Sequence, residues 1–152
     1  MQSTEVTPPT TKRVVRQTDQ DINERIKRQT EANVAFYASH DRRLLDIRLQ
    51  ELDREWDIER ILEANAATVS LIGLGLGRFV SRRWFVLPTA VAGFLLQHAI
   101  QGWCPPLALF RRLGVRTQRE IDEERYALKA LRGDFTSAEA QPAKDVLHAA
   151  RT

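Results

Sequence analysis

Hydrophobic positions follow two different rhythms along this chain. From Thr18 to Glu63 there is neither Gly nor Pro, and charged residues alternate with apolar ones at helical spacing. At 100° per residue, Leu45, Leu49, Leu52 and Trp56 fall within a stripe about 60° wide, which predicts an amphipathic helix. Leu44, Ile47, Ile58, Ile61 and Leu62 fall on a second face, so this region has two apolar faces to cover. Ser39-His40-Asp41 is the natural break, giving one helix near 19–38 and another from about residue 41. Thr18 can cap the first, with Asp21 in the first turn, where negative charge suits the helix dipole.

The second rhythm is an absence of charge. Ala64–Gly77 carries no Asp, Glu, Lys or Arg over 14 residues, and 27 residues between Arg83 and Arg111 are likewise free of them. Extended to Val80, the first stretch gives about 25 Å of helix at 1.5 Å per residue. Trp84–Ile100 is the stronger candidate span, and Ser81-Arg82-Arg83 leaves room only for a tight hairpin. The pattern predicts an all-α chain built on a transmembrane helical hairpin over 64–104. Around it lie a disordered N-terminus (1–17), an amphipathic helical region (18–63), cytoplasmic amphipathic helices (105–133) and a flexible tail (134–152).

Small residues supply the expected contact inside the hairpin, because lipid gives two helices no hydrophobic reason to associate. Ala66, Ser70, Gly73 and Gly77 share one face of the first helix, and Ala90, Gly93 and Gln97 share one face of the second. A turn centred on Ser81-Arg82 pairs positions whose numbers sum to about 163, and that register sets Gly73 opposite Ala90 and Ser70 opposite Gly93. After Cys104, Pro105-Pro106 should end the second helix. Leu107–Leu113 reads as a short amphipathic segment closed by Gly114. Thr117-Gln118-Arg119-Glu120 is a capping box that opens a helix stopped by Gly133. The tail should hold at most a turn or two of helix around Ala143–Ala149.

Charge changes this picture little. With 23 basic and 20 acidic residues, the net charge of +3 is mild and the signs are interspersed, so nucleic acid is not an expected partner. Seven arginines outside the hairpin against three at its turn favour cytoplasmic termini. The expected location is then a bacterial inner (plasma) membrane. The expected partners are the lipid bilayer and either a second copy of the chain or another membrane protein.

Candidate chemistry is sparse. The lone Cys104 excludes an intramolecular disulfide. It is a possible reactive thiol, with Arg111 and Arg112 nearby to favour a thiolate, although a cysteine at a helix end also serves as a small packing residue. Asn65, Gln97, His98 and Gln101 form a polar cluster at the membrane edge. His98 with Cys104 supplies at most two metal ligands, so neither a metal site nor a cofactor is implied. Glu51, Glu55, Glu59 and Glu63 with Arg48, Arg54 and Arg60 read as a solvated face. Nothing has the spacing of a nucleophile–base pair, a phosphate loop or paired catalytic carboxylates.

Gly102-Trp103-Cys104-Pro105-Pro106, followed by Leu109-Phe110-Arg111-Arg112-Leu113-Gly114, resembles the YgaP-like transmembrane domain. That is a bacterial two-helix inner-membrane family of unknown function, sometimes fused to rhodaneses. The resemblance covers roughly residues 61–114. It departs at Pro106, where an aliphatic residue is more usual, and in lacking the Asp-Arg pair that often precedes the first span. The segregated charge-free stretches, the small-residue faces and the Leu45/Leu49/Leu52/Trp56 stripe point to a non-enzymatic inner-membrane protein that associates with itself or another protein. The alternatives are a membrane-bound sulfur-handling or redox protein using Cys104, and a soluble helical bundle in which the hairpin is buried.

Overall fold

Six helices of eight residues or more, one four-residue helix and a short 3-10 turn make up the secondary structure of the described residues. The structure is a computed structural model, and it describes Pro9 and residues 11–135. Of the flexible tail expected over 134–152, all beyond Phe135, including the turn of helix around Ala143–Ala149, lies outside the described residues.

The helices are α1 (Arg13–Arg16), α2 (Gln20–Ala38), α3 (Arg42–Arg54), α4 (Ile58–Phe79), α5 (Val86–Gln101), α6 (Pro105–Arg112) and α7 (Gln118–Arg132), with the 3-10 turn at Arg82–Phe85. Local chemistry explains their ends. Asp41 and Asp57 cap α3 and α4 by accepting hydrogen bonds from the Leu44 and Arg60 N–H groups, each at 3.0 Å. Gly114 ends α6 at positive φ, with Gly114 N–H on Arg111 O and Val115 N–H on Phe110 O, both at 3.0 Å. Gly133 repeats this paired closure after α7, using the Ala130 and Lys129 carbonyls.

The chain divides into two packed units. Among the described residues, the first comprises Pro9 and residues 11–26 and 56–119. Its core is Val14, Ile58, Leu62, Cys104 and Leu107, with Phe110 and Val115 packed against it. On α4, Ile58, Leu62, Ala66, Gly73 and Gly77 are buried along one face, and α4 runs antiparallel to α5. Arg111 is fully buried. Its guanidinium donates to Asn23 Oδ1 at 2.8 Å, to Val115 O at 3.0 Å and to Thr18 Oγ1 at 3.2 Å, fastening the start of α2 to α6. The segment read as a disordered N-terminus thus contributes a helix, α1, and a buried Val14.

The second unit comprises, among the described residues, 27–55 and 120–135. Leu45, Leu49 and Leu52 of α3 pack with Ile121 and Leu128 of α7, and Val34 and Tyr37 of α2 lie against that core. Trp56, read as the end of the same stripe, belongs to the first unit. It stays about half exposed under the Arg60 guanidinium, 4.2 Å from the ring centroid.

The expected transmembrane hairpin is corrected here. Among the described residues no single helix is long and apolar enough to cross a membrane. The 16 residues of α5 reach only about 24 Å, short of a hydrocarbon core of about 30 Å. The apolar run that continues to Phe110 turns through 69° where α5 gives way to α6. Although α4 has 22 residues, Glu59, Arg60 and Glu63 occupy its first two turns and Arg78 its last. The sequence pattern misled because it registers only the absence of charge in the middle of a segment. It does not register where the helix begins, or that one of its faces is used against protein. Pro105 and Pro106 do not end α5; Gly102 does, and the prolines open α6, where a missing N–H does no harm. With the hairpin's membrane setting go the inner-membrane location, the cytoplasmic assignment of both termini, and the bilayer and membrane-protein partners. A helical pair held only by its own small faces is likewise replaced by packed units bearing many ion pairs.

Candidate functional site

The site begins with a glycine. Gly102 closes α5 at φ +79, donating its N–H to His98 O at 2.7 Å. A Cβ at this position would lie 2.7 Å from Arg13 Cβ and 2.8 Å from the Arg13 carbonyl carbon. Glycine therefore serves twice, once for the left-handed backbone and once for the close passage of α1 over the end of α5.

That passage delivers Arg13 to Glu59 in the first turn of α4. Arg13 Nη2 sits 3.0 Å from Glu59 Oε1, and Arg13 Nη1 donates to Ala99 O at 3.2 Å. The other carboxylate oxygen, Oε2, is 2.8 Å from His98 Nε2. An ionised carboxylate only accepts, so Nε2 carries the proton of this bond. His98 is 4% exposed and Cys104 is 3% exposed. The Cys104 thiol, followed by Glu59, pushes the His98 pKa up to about 9 against the opposing effect of burial. Reciprocally, the bond from His98 holds the Glu59 carboxyl below its ordinary value, with Arg13 assisting. The ring's second nitrogen, Nδ1, is buried without a hydrogen bond of ordinary geometry.

Cys104 also faces a cavity of about 160 Å³. Its walls are Leu62, Ala66 and Val69 of α4 with Val91, Phe94 and Leu95 of α5. Asn65 and Pro106 complete the lining. The result is a thiol backed by an imidazole, a carboxylate and a guanidinium on one side and open to an apolar space on the other. Such a constellation can bind a small apolar molecule and present sulfur to it. No group of three or more His, Cys, Asp or Glu among the described residues is placed to hold a metal ion.

The polar cluster expected at a membrane edge is distributed differently. Asn65 lines the cavity, His98 belongs to the ion-paired cluster, Gln97 is half-buried and Gln101 is exposed. Of the small residues expected to pack the helices together, Gly73 meets Pro88 and Leu87 rather than Ala90, and Gly77 meets the Phe85 ring. Ala66 is buried on the cavity wall, Ser70 is half-buried, Ala90 is exposed, and a Cβ on Gly93 would meet nothing. Arg111, expected to favour the thiolate, is engaged by Thr18, Asn23 and Val115 instead.

Glu59 and Arg13 are the residues that sequence reasoning missed. One signal for Glu59 was present. The antiparallel sum of about 163, carried two turns beyond Ala66 and Gln97, sets Glu59 opposite Cys104. Placing Glu59 on a solvated face is corrected by its contact with His98. Arg13 had no signal, because nothing in a short polar segment announces that it crosses a helix end.

No family model matches this chain, and no curated protein or solved structure matches it either. The resemblance to the YgaP-like transmembrane domain is therefore withdrawn. A Gly-x-Cys-Pro motif is short, and here Gly102 is explained by the passage of Arg13 and Pro105 by its place at the start of α6.

Proposed function

We propose that the first unit is a binding module for a small apolar molecule, and that it binds rather than turns over its ligand. The observation that carries this reading is the cavity of about 160 Å³ walled by aliphatic and aromatic side chains. An enclosed apolar cavity of about 150 Å³ accepts benzene; this pocket has a similar volume but opens to solvent past the exposed Phe94 and Leu95, so its scale is one six-membered ring. Asn65 supplies a single polar contact at the wall, enough to orient a carbonyl or hydroxyl group and too little to bind a charged metabolite. The expected ligand is a neutral molecule of about six to eight heavy atoms.

Thermal melting with cyclohexanone tests the reading. Ligand at 100 times its Kd stabilises the native state by about 2.7 kcal/mol, which raises Tm by several degrees in a chain of this size. Val69→Phe, placed on the half-buried cavity wall, should remove that shift while the variant still melts cooperatively. An unchanged Tm for the native protein across a saturating range of cyclohexanone and benzene would end the proposal.

A further inference from the structure

Three features stand outside the binding role just proposed: the buried Arg111 hub, the Arg48–Glu124 pair in the second unit, and the thiol at the cavity wall. The first two have their donors and acceptors satisfied by their surroundings and offer nothing to a ligand. The third does. Cys104 lines the cavity and is also the group that acts most strongly on the His98 ring, which Glu59 and Arg13 hold in place. His98 also keeps Nδ1 buried and without an ordinary hydrogen bond. A cysteine that only packed would have no use for a histidine held in place by a carboxylate and, behind it, an arginine.

We infer that Cys104 is a capture nucleophile for small α,β-unsaturated carbonyl compounds that enter the cavity. The inference rests on the cavity-binding reading and adds the substrate class and the reacting atom. In the step, Cys104 Sγ forms a C–S bond to the β-carbon and the C=C π bond breaks. The protonated His98 ring gives its Nδ1 proton to the α-carbon and takes up the thiol proton in its place, so that the net transfer is from sulfur to carbon. All atoms of thiol and enone are kept in a saturated thioether. No leaving group, oxidant or reductant is required. Glu59 is a positioning residue, fixing the ring through Nε2 so that Nδ1 is the nitrogen left for the transfer. Asn65 is the wall group available to the carbonyl oxygen, where charge develops as the π bond breaks. The class is chosen by the cavity. Cyclohex-2-enone is the size of the ring that the space admits and is uncharged like its walls.

The test uses the full chain, cyclohex-2-enone as the reactive probe and cyclohexanone as its saturated twin. Intact-mass and peptide analysis should show one added enone on Cys104 and none in Cys104→Ser. Excess cyclohexanone should slow the addition at least tenfold by occupying the cavity. His98→Gln should slow it on the order of 100-fold, the size of a general acid–base contribution, while cyclohexanone still raises that variant's Tm. Glu59→Gln should weaken the pH dependence of the addition without abolishing it. Cyclohexanone binding with no adduct on Cys104 would overturn the capture step and leave the binding module standing. No binding of either probe would overturn both. An adduct that forms equally fast in His98→Gln, or that cyclohexanone fails to slow, would mark ordinary thiol alkylation and overturn the inference.

Discussion

The two units solve the burial of charge in opposite ways. In the second, Glu124 is fully buried and Arg48 meets it at 2.8 Å between Nε and Oε1. Arg125 binds Asp53 and the Leu52 carbonyl, and Arg132 binds Asp46 and Asp134. These pairs rim a leucine–isoleucine core, and most polar groups there have an evident structural partner. In the first unit, charge converges on His98 and Cys104 beside an apolar cavity, and one ring nitrogen is left without an ordinary hydrogen bond. The difference separates charges that hold helices together from charges arranged around a group able to react. Buried polar groups are normally satisfied, so an exception in the cluster that acts on the cavity-lining Cys104 carries functional information that a satisfied pair does not.

The largest expected effect breaks the structural half of the comparison. Glu124→Ala removes a buried carboxylate and leaves the Arg48 guanidinium, itself mostly covered, without its main counter-charge. Breaking a buried pair in this way costs about 3–5 kcal/mol. Denaturant unfolding should register that loss, and Glu124→Leu combined with Arg48→Leu should recover most of it, because two apolar groups leave no charge stranded. A single substitution costing under 1 kcal/mol would show that water reaches Glu124 and that the second unit is looser than described.

The second unit was also the more legible in sequence. Leu45, Leu49 and Leu52 recur at three and four residues and are buried together, and Gly133 stops α7 because only a residue at ease with positive φ fits there. Such signals are local. A stripe, a cap and a stop each lie within a turn or two of chain. The first unit depends on long-range meetings. Arg13 reaches Glu59 across 46 positions, and Glu59 reaches His98 across 39. No periodicity encodes either meeting. The charge-free segments pulled the reading toward lipid because apolarity shows that water is avoided without showing what replaces it. In α4 the replacement is partly protein, through Ile58, Leu62 and Ala66. Cys104 stood out because it is the sole cysteine. Its partnership with His98 was considered only as metal ligation, since the carboxylate that makes the pair chemically useful lay in a run of glutamates spaced like solvent-facing ones.

The next effect sharpens the chemical half. His98 has an ordinary pKa of 6.5 and a folded value near 9, raised by the Cys104 thiol and by Glu59, which Arg13 braces from behind. A pKa raised on folding means that the native state holds the proton more tightly. The stabilisation is complete below about pH 6.5 and disappears as pH rises through 9. It amounts to about 3 kcal/mol. Unfolding followed by denaturant at pH 6 and pH 9.5 should show this decline, and His98→Gln should flatten it. Glu59 works in the other direction. Its lowered pKa stabilises the fold above the ordinary carboxylate value of 4.5, and that contribution fades as acid protonates it. A profile equally steep in His98→Gln would assign the alkaline loss to other groups and detach His98 from its role.

The smallest effect concerns the part of the first unit that faces away from its core. Phe79 is 84% exposed at the end of α4, and Leu71, Val80 and Val86 are also well exposed. If the packed core alone holds this unit, these side chains bury little on folding, and replacing one of them is nearly free. Phe79→Gln removes one exposed ring and its weak contact with the Arg78 guanidinium, 5.7 Å from the ring centroid. An exposed cation–aromatic contact is worth about 0.5 kcal/mol, and exposed substitutions commonly fall within about 0.5 kcal/mol of zero. Unfolding free energy should therefore change by no more than about 0.5 kcal/mol, against the several lost in Glu124→Ala. A loss above about 1 kcal/mol would mean that Phe79 is covered in solution. The first unit would then owe part of its stability to a surface that the isolated chain leaves open, whereas the second would still stand on its own ion pairs and leucines.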